Sequence, residues 1–227
     1  RIMKKSNFSF LMLVFLSLSF LSAQEKINQF DNDGKRDGIW KKFHPNKLVR
    51  YTGQFKNGKE IGVFKFYKIT TNDFPELVKT FSKKSDSAKV KYYNDKGIVE
   101  SEGFMINKDR VGKWLYYNND GKTIMTEENY ENGVLHGLSK TFYPNKKLTE
   151  VKNYTNGKLN GSLKRYADNG TLLDDLMYIN GKLDGLAKYY NLKGVLIYTG
   201  EYENDVKVGE WEYYENGKKV SIDKLKQ

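Results

Sequence analysis

A unit of about 24 residues repeats eight times along this chain of 227 residues. Its opening glycines stand at Gly38, Gly62, Gly112, Gly137, Gly161, Gly185 and Gly209, with Ala88 in the remaining slot. The step is nearly constant, and the longest one leads from Gly62 to Ala88. Five residues after each opener comes an aromatic: Phe43, Tyr67, Tyr93, Tyr117, Phe142, Tyr166, Tyr190 and Tyr214. A fixed period of this length describes a quasi-one-dimensional array in which each unit buries its surface only against its neighbours.

The interior of one unit says what kind of array it is. From Gly137 the chain reads as a strand over 138–143, a turn at 144–146, a second strand over 148–154 and a turn at 155–158. The strands are rich in Tyr, Phe, Trp and β-branched residues, which suit a pleated, half-buried surface. Turns are marked by Asn57-Gly58, Asp120-Gly121, Asn132-Gly133, Asn156-Gly157, Asn169-Gly170, Asn180-Gly181 and Asn216-Gly217. Such dipeptides tolerate the positive φ of tight hairpins, so successive strands run antiparallel. The expected fold is therefore all-β: an elongated, single-layer antiparallel meander of about 16 strands. Blades of a propeller need about 40 residues, and a closed barrel of so many strands would enclose a cavity that nothing here fills.

Around this array the segments divide as follows. Residues 1–23 read as a secretory signal peptide, with Lys4 and Lys5 ahead of an apolar run from Phe8 to Leu21 and cleavage after Ala23. That run is too short to span a bilayer, which takes about 20 residues. A linker over 24–30, the array over 31–220 and a polar tail over 221–227 complete the division. Export through the general secretory route is the expectation, to the periplasm, the outer surface or the medium. The chain has no cysteine, which removes disulfides, thiolate metal sites and thiol catalysis. Net charge is +11, and +8 without residues 1–23. Acids and bases are interleaved, a balance that suits solubility or loose attraction to an anionic surface. Nucleic acid is not an expected partner.

Catalytic groupings are sparse. His44 and His136 each sit in a turn, about three units apart, and neither has a second metal-ligating residue at ligand spacing. No Gly-x-Ser-x-Gly elbow occurs. Glu127-Glu128 and Asp174-Asp175 are adjacent strand residues, so each pair divides between opposite faces. Glu100 and Glu102 share a face, but a flat meander offers no cleft in which two carboxyls could flank a glycosidic bond. The chain reads as a non-enzyme without cofactor or metal.

The segment Tyr51-Thr-Gly-Gln-Phe-Lys-Asn-Gly58-Lys-Glu-Ile-Gly62 resembles the MORN repeat, Tyr-x-Gly-x-aromatic-x-Asn-Gly followed by Lys-x-x-Gly. Tyr198-Thr-Gly-Glu-Tyr-Glu-Asn-Asp205 repeats it with Asp205 in the last glycine slot, and Tyr130-Glu-Asn-Gly-Val-Leu-His-Gly137 keeps its second half. Two residues past the opener, where that repeat has glycine, stand Trp40, Phe64, Trp114, Leu163 or Trp211. This departure is similar to the bacterial MORN variant, including the YwqK-type antitoxin family, and the likeness covers residues 31–220. It implies an elongated sheet for protein or membrane-surface contact, and an antitoxin-like member would neutralise a partner.

Aromatics supply the candidate surface. Besides the fifth-position stripe, a second one runs through Phe55, Phe81, Phe104, Tyr130, Tyr154, Tyr178 and Tyr202. In a single layer such ladders stand in for a core, each cross-strand pair adding about 0.2–1 kcal/mol. A stripe left partly open would instead bind. Trp40, Phe64, Trp114, Trp211, Tyr117, Tyr190 and Tyr214 are the candidates, with a protein as the first partner class, cell-wall glycan second and an anionic lipid surface third. The irregular residues 68–87 read either as a decayed unit with a longer loop or as a partner site.

Overall fold

The computed structural model describes residues 26–82, 85 and 87–221, so the expected signal peptide and residues 222–227 of the tail lie outside the described residues. Within them the chain forms one open, all-antiparallel sheet of 19 strands and no helix. Strands pair with those adjacent in sequence, as the repeat requires, except where two short pieces form one interrupted strand. β1 (Gln29–Phe30) lies on β2 (Arg36–Phe43), and β3 (Val49–Lys56), β4 (Lys59–Phe66), β5 (Leu77–Phe81), β6 (Ser87–Tyr93), β7 (Val99–Ile106), β8 (Asp109–Tyr117) and β9 (Ile124–Glu131) follow in order. The second half continues through β10 (Val134–Leu135), β11 (Gly137–Phe142), β12 (Leu148–Thr155), β13 (Lys158–Tyr166) and β14 (Leu172–Ile179). β15 (Lys182–Leu183), β16 (Gly185–Tyr190), β17 (Leu196–Glu203), β18 (Val206–Glu215) and β19 (Lys218–Val220) end it.

The strand count exceeds the expected 16 for local reasons. β10 and β11 are one strand interrupted at His136, and β15 and β16 are one strand interrupted at Asp184. Residues 27–30, read as linker, add a further edge: Ile27 bridges to Ile39, Gln29 and Phe30 pair with Asp37 and Arg36, and the Phe30 ring meets Trp40 edge-on at 5.1 Å.

Every opener glycine has a positive φ, from 63° at Gly112 and Gly209 to 110° at Gly185. Residues with side chains are strained there. The glycine's task is to make a bulge. Thr52 pairs with Lys65 and Gln54 with Ile61, so three residues, Gly62 to Phe64, stand opposite Gly53 alone. The same arrangement sets Gly112 to Trp114 against Gly103, and Gly209 to Trp211 against Gly200. Bulges of this kind bend and twist a strand, and here each one carries the residue two past the opener over the preceding strand.

That residue is the core. Trp40, Phe64, Val90, Trp114, Ser139, Leu163 and Ala187 are all buried, one from each of the first seven units. They cluster in three groups, around Trp40 and Phe64, around Val90 and Trp114, and around Leu163, Leu176 and Ala187. The expected insertion, of which residues 83, 84 and 86 lie outside the described set, is mostly regular. It supplies β5 and the start of β6, and its extra length is the loop before β5. Asn72 anchors that loop by accepting from the Val49 N–H at 2.6 Å and donating to the Val49 carbonyl at 2.8 Å.

Candidate functional site

Alternation along each strand gives the sheet two faces with different chemistry. The core face carries the opener and the residues two and four beyond it. The outer face carries the residues one, three and five beyond.

On the core face, the buried ring of one unit meets the second stripe at an edge. Ring centroids lie 5.7 Å apart for Trp40 and Phe55, 5.2 Å for Phe55 and Phe64, and 5.1 Å for Tyr202 and Trp211, all at steep angles. Edge-on packing suits the ring quadrupoles. A cation two residues before the opener then covers each tryptophan. Arg36 stands 5.0 Å from the Trp40 ring centre, Arg110 4.4 Å from Trp114 and Lys207 4.1 Å from Trp211. Arg110 also donates from Nη1 to the Tyr116 hydroxyl at 2.6 Å and the Tyr130 hydroxyl at 3.1 Å, and Tyr130 donates on to Glu128 at 2.7 Å. Burial first, then the bonds with Tyr130 and Glu128, push the Tyr116 hydroxyl far above its ordinary titration range.

The sequence candidates therefore separate. Trp40, Phe64 and Trp114 are 3%, 0% and 0% exposed, so they are packing residues and form no open stripe. The reason is geometric: periodicity locates a stripe but does not say which face the bulges cover. Trp211 is half-buried under Lys207, and its indole N–H has no acceptor among the described residues. Trp40 and Trp114 donate theirs to backbone carbonyls, of Gln29 and Phe104 respectively. Tyr117, Tyr190 and Tyr214 are half-buried and lie on the other, outer face. One member of the second stripe is displaced. Met105 pairs with Ala88 and faces the core, while Phe104 pairs with Lys89 and is exposed on the outer face.

The outer face holds residues that sequence reading missed. Three residues past the opener the chain has Lys41, Lys65, Lys91, Leu115, Lys140, Lys164, Lys188 and Glu212. Register places them in one unbroken row across the sheet, alternating with Thr52, Val78, Glu102, Glu127, Val151, Asp175 and Thr199 of the second strands. The fifth-position aromatics flank this row on the same face. The signal was present in the sequence as Lys-x-aromatic, six times in eight units, but each lysine alone looks like solvated surface.

Acids in the row are engaged. Lys91 and Lys89 lie 3.0 and 3.3 Å from the Glu102 carboxylate, and the Tyr117 hydroxyl donates to its other oxygen at 2.9 Å. Burial would raise the Glu102 carboxyl, but the bonds from Lys91, Tyr117 and Lys89 outweigh it and hold it below its usual range. Burial and the Glu102 carboxylate push the Tyr117 hydroxyl up to about 12. Lys113 meets Glu127 at 3.2 Å, and Lys164 meets Asp175 at 2.9 Å. One residue past the openers, Leu138 and Leu186 are exposed at 46% and 48%, with Met177, 41% exposed, on a strand between them.

The histidines sit apart from each other. His44 Nε2 is 3.0 Å from the Tyr67 carbonyl, and His136 Nδ1 is 3.6 Å from a Glu131 oxygen.

Comparison with curated proteins gives no match. Three stretches, residues 36–57, 135–156 and 183–204, match the family model of the MORN repeat variant. Each of these windows contains an opener glycine (Gly38, Gly137 or Gly185), the buried residue two beyond it and the closing aromatic (Phe55, Tyr154 or Tyr202), so these parts of the sheet are similar to MORN-variant repeats.

Proposed function

We propose that this protein is a non-enzymatic scaffold, exported to the cell envelope or beyond it, that binds a protein partner through its outer face. The observation that carries this reading is the contrast between the two faces. The core face spends its rings on packing and covers its tryptophans with the chain's own cations. The outer face presents a lysine row, an aromatic row and the exposed apolar residues Leu138, Met177 and Leu186. Aromatic and apolar residues beside charged ones are the ingredients of a protein interface. MORN-type repeats in general take part in protein or membrane contacts, and an antitoxin-like member would be one case of such a protein partner.

The test is co-sedimentation of residues 24–227 with the envelope fraction of the source cells, before and after protease treatment of that fraction. Retention lost on treatment supports a protein partner. Retention that survives it identifies a glycan or lipid surface and overturns the reading.

A further inference from the structure

The outer-face row shows how this surface holds a carboxylate, because it holds one of its own. Glu102 projects from β7 between two lysines of β6 and the Tyr117 hydroxyl of β8. Seen from the repeat, its position is the second-strand residue that pairs with the row on both sides: Lys91 on one and Leu115 on the other. The positions equivalent to it one and two units earlier are Val78 and Thr52.

Val78 pairs with Lys65 and with Lys91, and Thr52 pairs with Lys41 and with Lys65. Each place thus has a lysine on both sides, where Glu102 has one lysine and a leucine. Tyr93 and Tyr67 stand in the position of Tyr117. What the two places do not have is an acid of the chain itself. Lys41 and Lys65 make no ion pair among the described residues, and Lys91 shares the single Glu102 carboxylate with Lys89. Across most of the sheet the pattern repeats, with Thr199, between Lys188 and Glu212, as the exception. Where the second-strand residue is an acid (Glu102, Glu127 or Asp175) a neighbouring lysine engages it, and where it is Thr52 or Val78 both flanking row residues are lysines. Val151, between Lys140 and Lys164 with Tyr166 alongside, is a third such place.

Spacing then limits what fits. Thr52 and Val78 are two strands apart, a separation of about 10 Å across the sheet. In a polyproline II segment, which turns once every three residues, side chains three apart lie on the same side and about 9 Å from each other. We propose that the outer face over β2 to β6 binds an acidic segment of the partner protein in the polyproline II conformation, seating carboxylates three residues apart above Thr52 and Val78 between the lysine pairs Lys41/Lys65 and Lys65/Lys91. This rests on the scaffold reading and names the chemistry of its partner. Hydrogen bonds in which both groups are charged are the stronger kind, and exposed ion pairs weaken as salt rises.

The test uses the chain's own device. Val78→Glu would supply in cis the acid that Glu102 supplies one unit later. The probe is a fluorescein-labelled serine–glycine peptide bearing glutamates three residues apart, followed by anisotropy at low ionic strength. Wild type binds it, Val78→Glu binds at least tenfold more weakly with an unchanged or higher melting temperature, and Val78→Gln, of the same size without the charge, loses at least threefold less affinity than Val78→Glu. A matched peptide with glutamine for glutamate does not bind, and removing turn charges by Lys146→Gln with Lys147→Gln leaves affinity within about twofold. Equal binding by Val78→Glu, by the glutamine peptide, or an equal loss in the turn variant overturns the proposal. So does binding to phosphatidylglycerol vesicles with none to the peptide. Envelope retention separates the two readings: if Val78→Glu is still retained in a protease-sensitive way, the scaffold stands and the acidic segment falls.

Discussion

The indole of Trp114 occupies the space that a β-carbon on Gly103 would need. The same holds for Phe64 over Gly53 and Trp211 over Gly200. In the other units the second-strand residue is larger and the next buried residue is smaller: Lys79 precedes Val90, Glu128 precedes Ser139, Lys152 precedes Leu163 and Leu176 precedes Ala187. Glycine and ring are thus a matched pair, each strand cut to fit the next.

Gly103→Ala should therefore destabilise the array, by about 1–3 kcal/mol if the Trp114 ring can shift and by more if it cannot. Combining it with Trp114→Val, which copies the Lys79–Val90 pairing, should cost less than the two changes summed. Urea unfolding of the four proteins gives the coupling, and strict additivity would refute the matched pair.

Trp114→Ala should act on stability and not on ligand contact. Removing a fully buried indole typically costs about 3–5 kcal/mol, and in an array whose units lean on neighbours the loss spreads to adjacent strands. Thermal melting measures it. A normal melting temperature with lost binding would mean that the ring serves a ligand after all.

Arg110→Gln should remove the charge over Trp114 and the two hydrogen bonds to Tyr116 and Tyr130. Cation–π contacts in partly desolvated sites contribute about 0.5–2 kcal/mol, and the hydroxyl bonds add to that. Lower stability with a changed tryptophan emission is the expected outcome; Arg110→Lys should recover only part, since a single ammonium lacks the planar fork.

Acid should weaken the sheet partly through Glu102. Its folded carboxyl titrates below the ordinary value of about 4.3. The stabilisation is thus complete above that ordinary value and is lost as pH falls through the folded one. Glu102→Gln should flatten the melting-temperature profile below about pH 5 and lower it above, which differential scanning fluorimetry across the range would show.

How much of this was legible depended on which property the residues advertise. The opener glycines were, because a glycine returns at nearly constant spacing in seven of the eight units, and the Asn-Gly hairpins fixed strand direction; that the openers themselves take positive φ was not. Single-layer alternation followed from Leu138 to Phe142 and their equivalents. Register within the irregular third unit was not legible: Phe104 and Met105 are both apolar, and the longer step from Gly62 to Ala88 hides which one faces inward. Nor could the rings of Trp40, Phe64 and Trp114 be assigned to a side: Phe64 and Trp114 are buried by a bulge that slides them over a neighbouring strand, and Trp40 by Phe30, Phe55 and Arg36. The lysine row was overlooked for the opposite reason, as its significance lies in what stands across from each lysine, a relation that appears only once strands are paired.

The even spacing of the units has an evolutionary reading. Most openers follow one another at the same even-numbered step, as Gly137 does not but Gly161, Gly185 and Gly209 do, so a tandem duplication or an in-frame loss of one such unit leaves every side chain on the face it already occupied. A lineage can lengthen or shorten such a surface by two strands at a time, adding or subtracting one lysine station per event, and so tune its reach toward a longer or shorter partner without redesigning the interior.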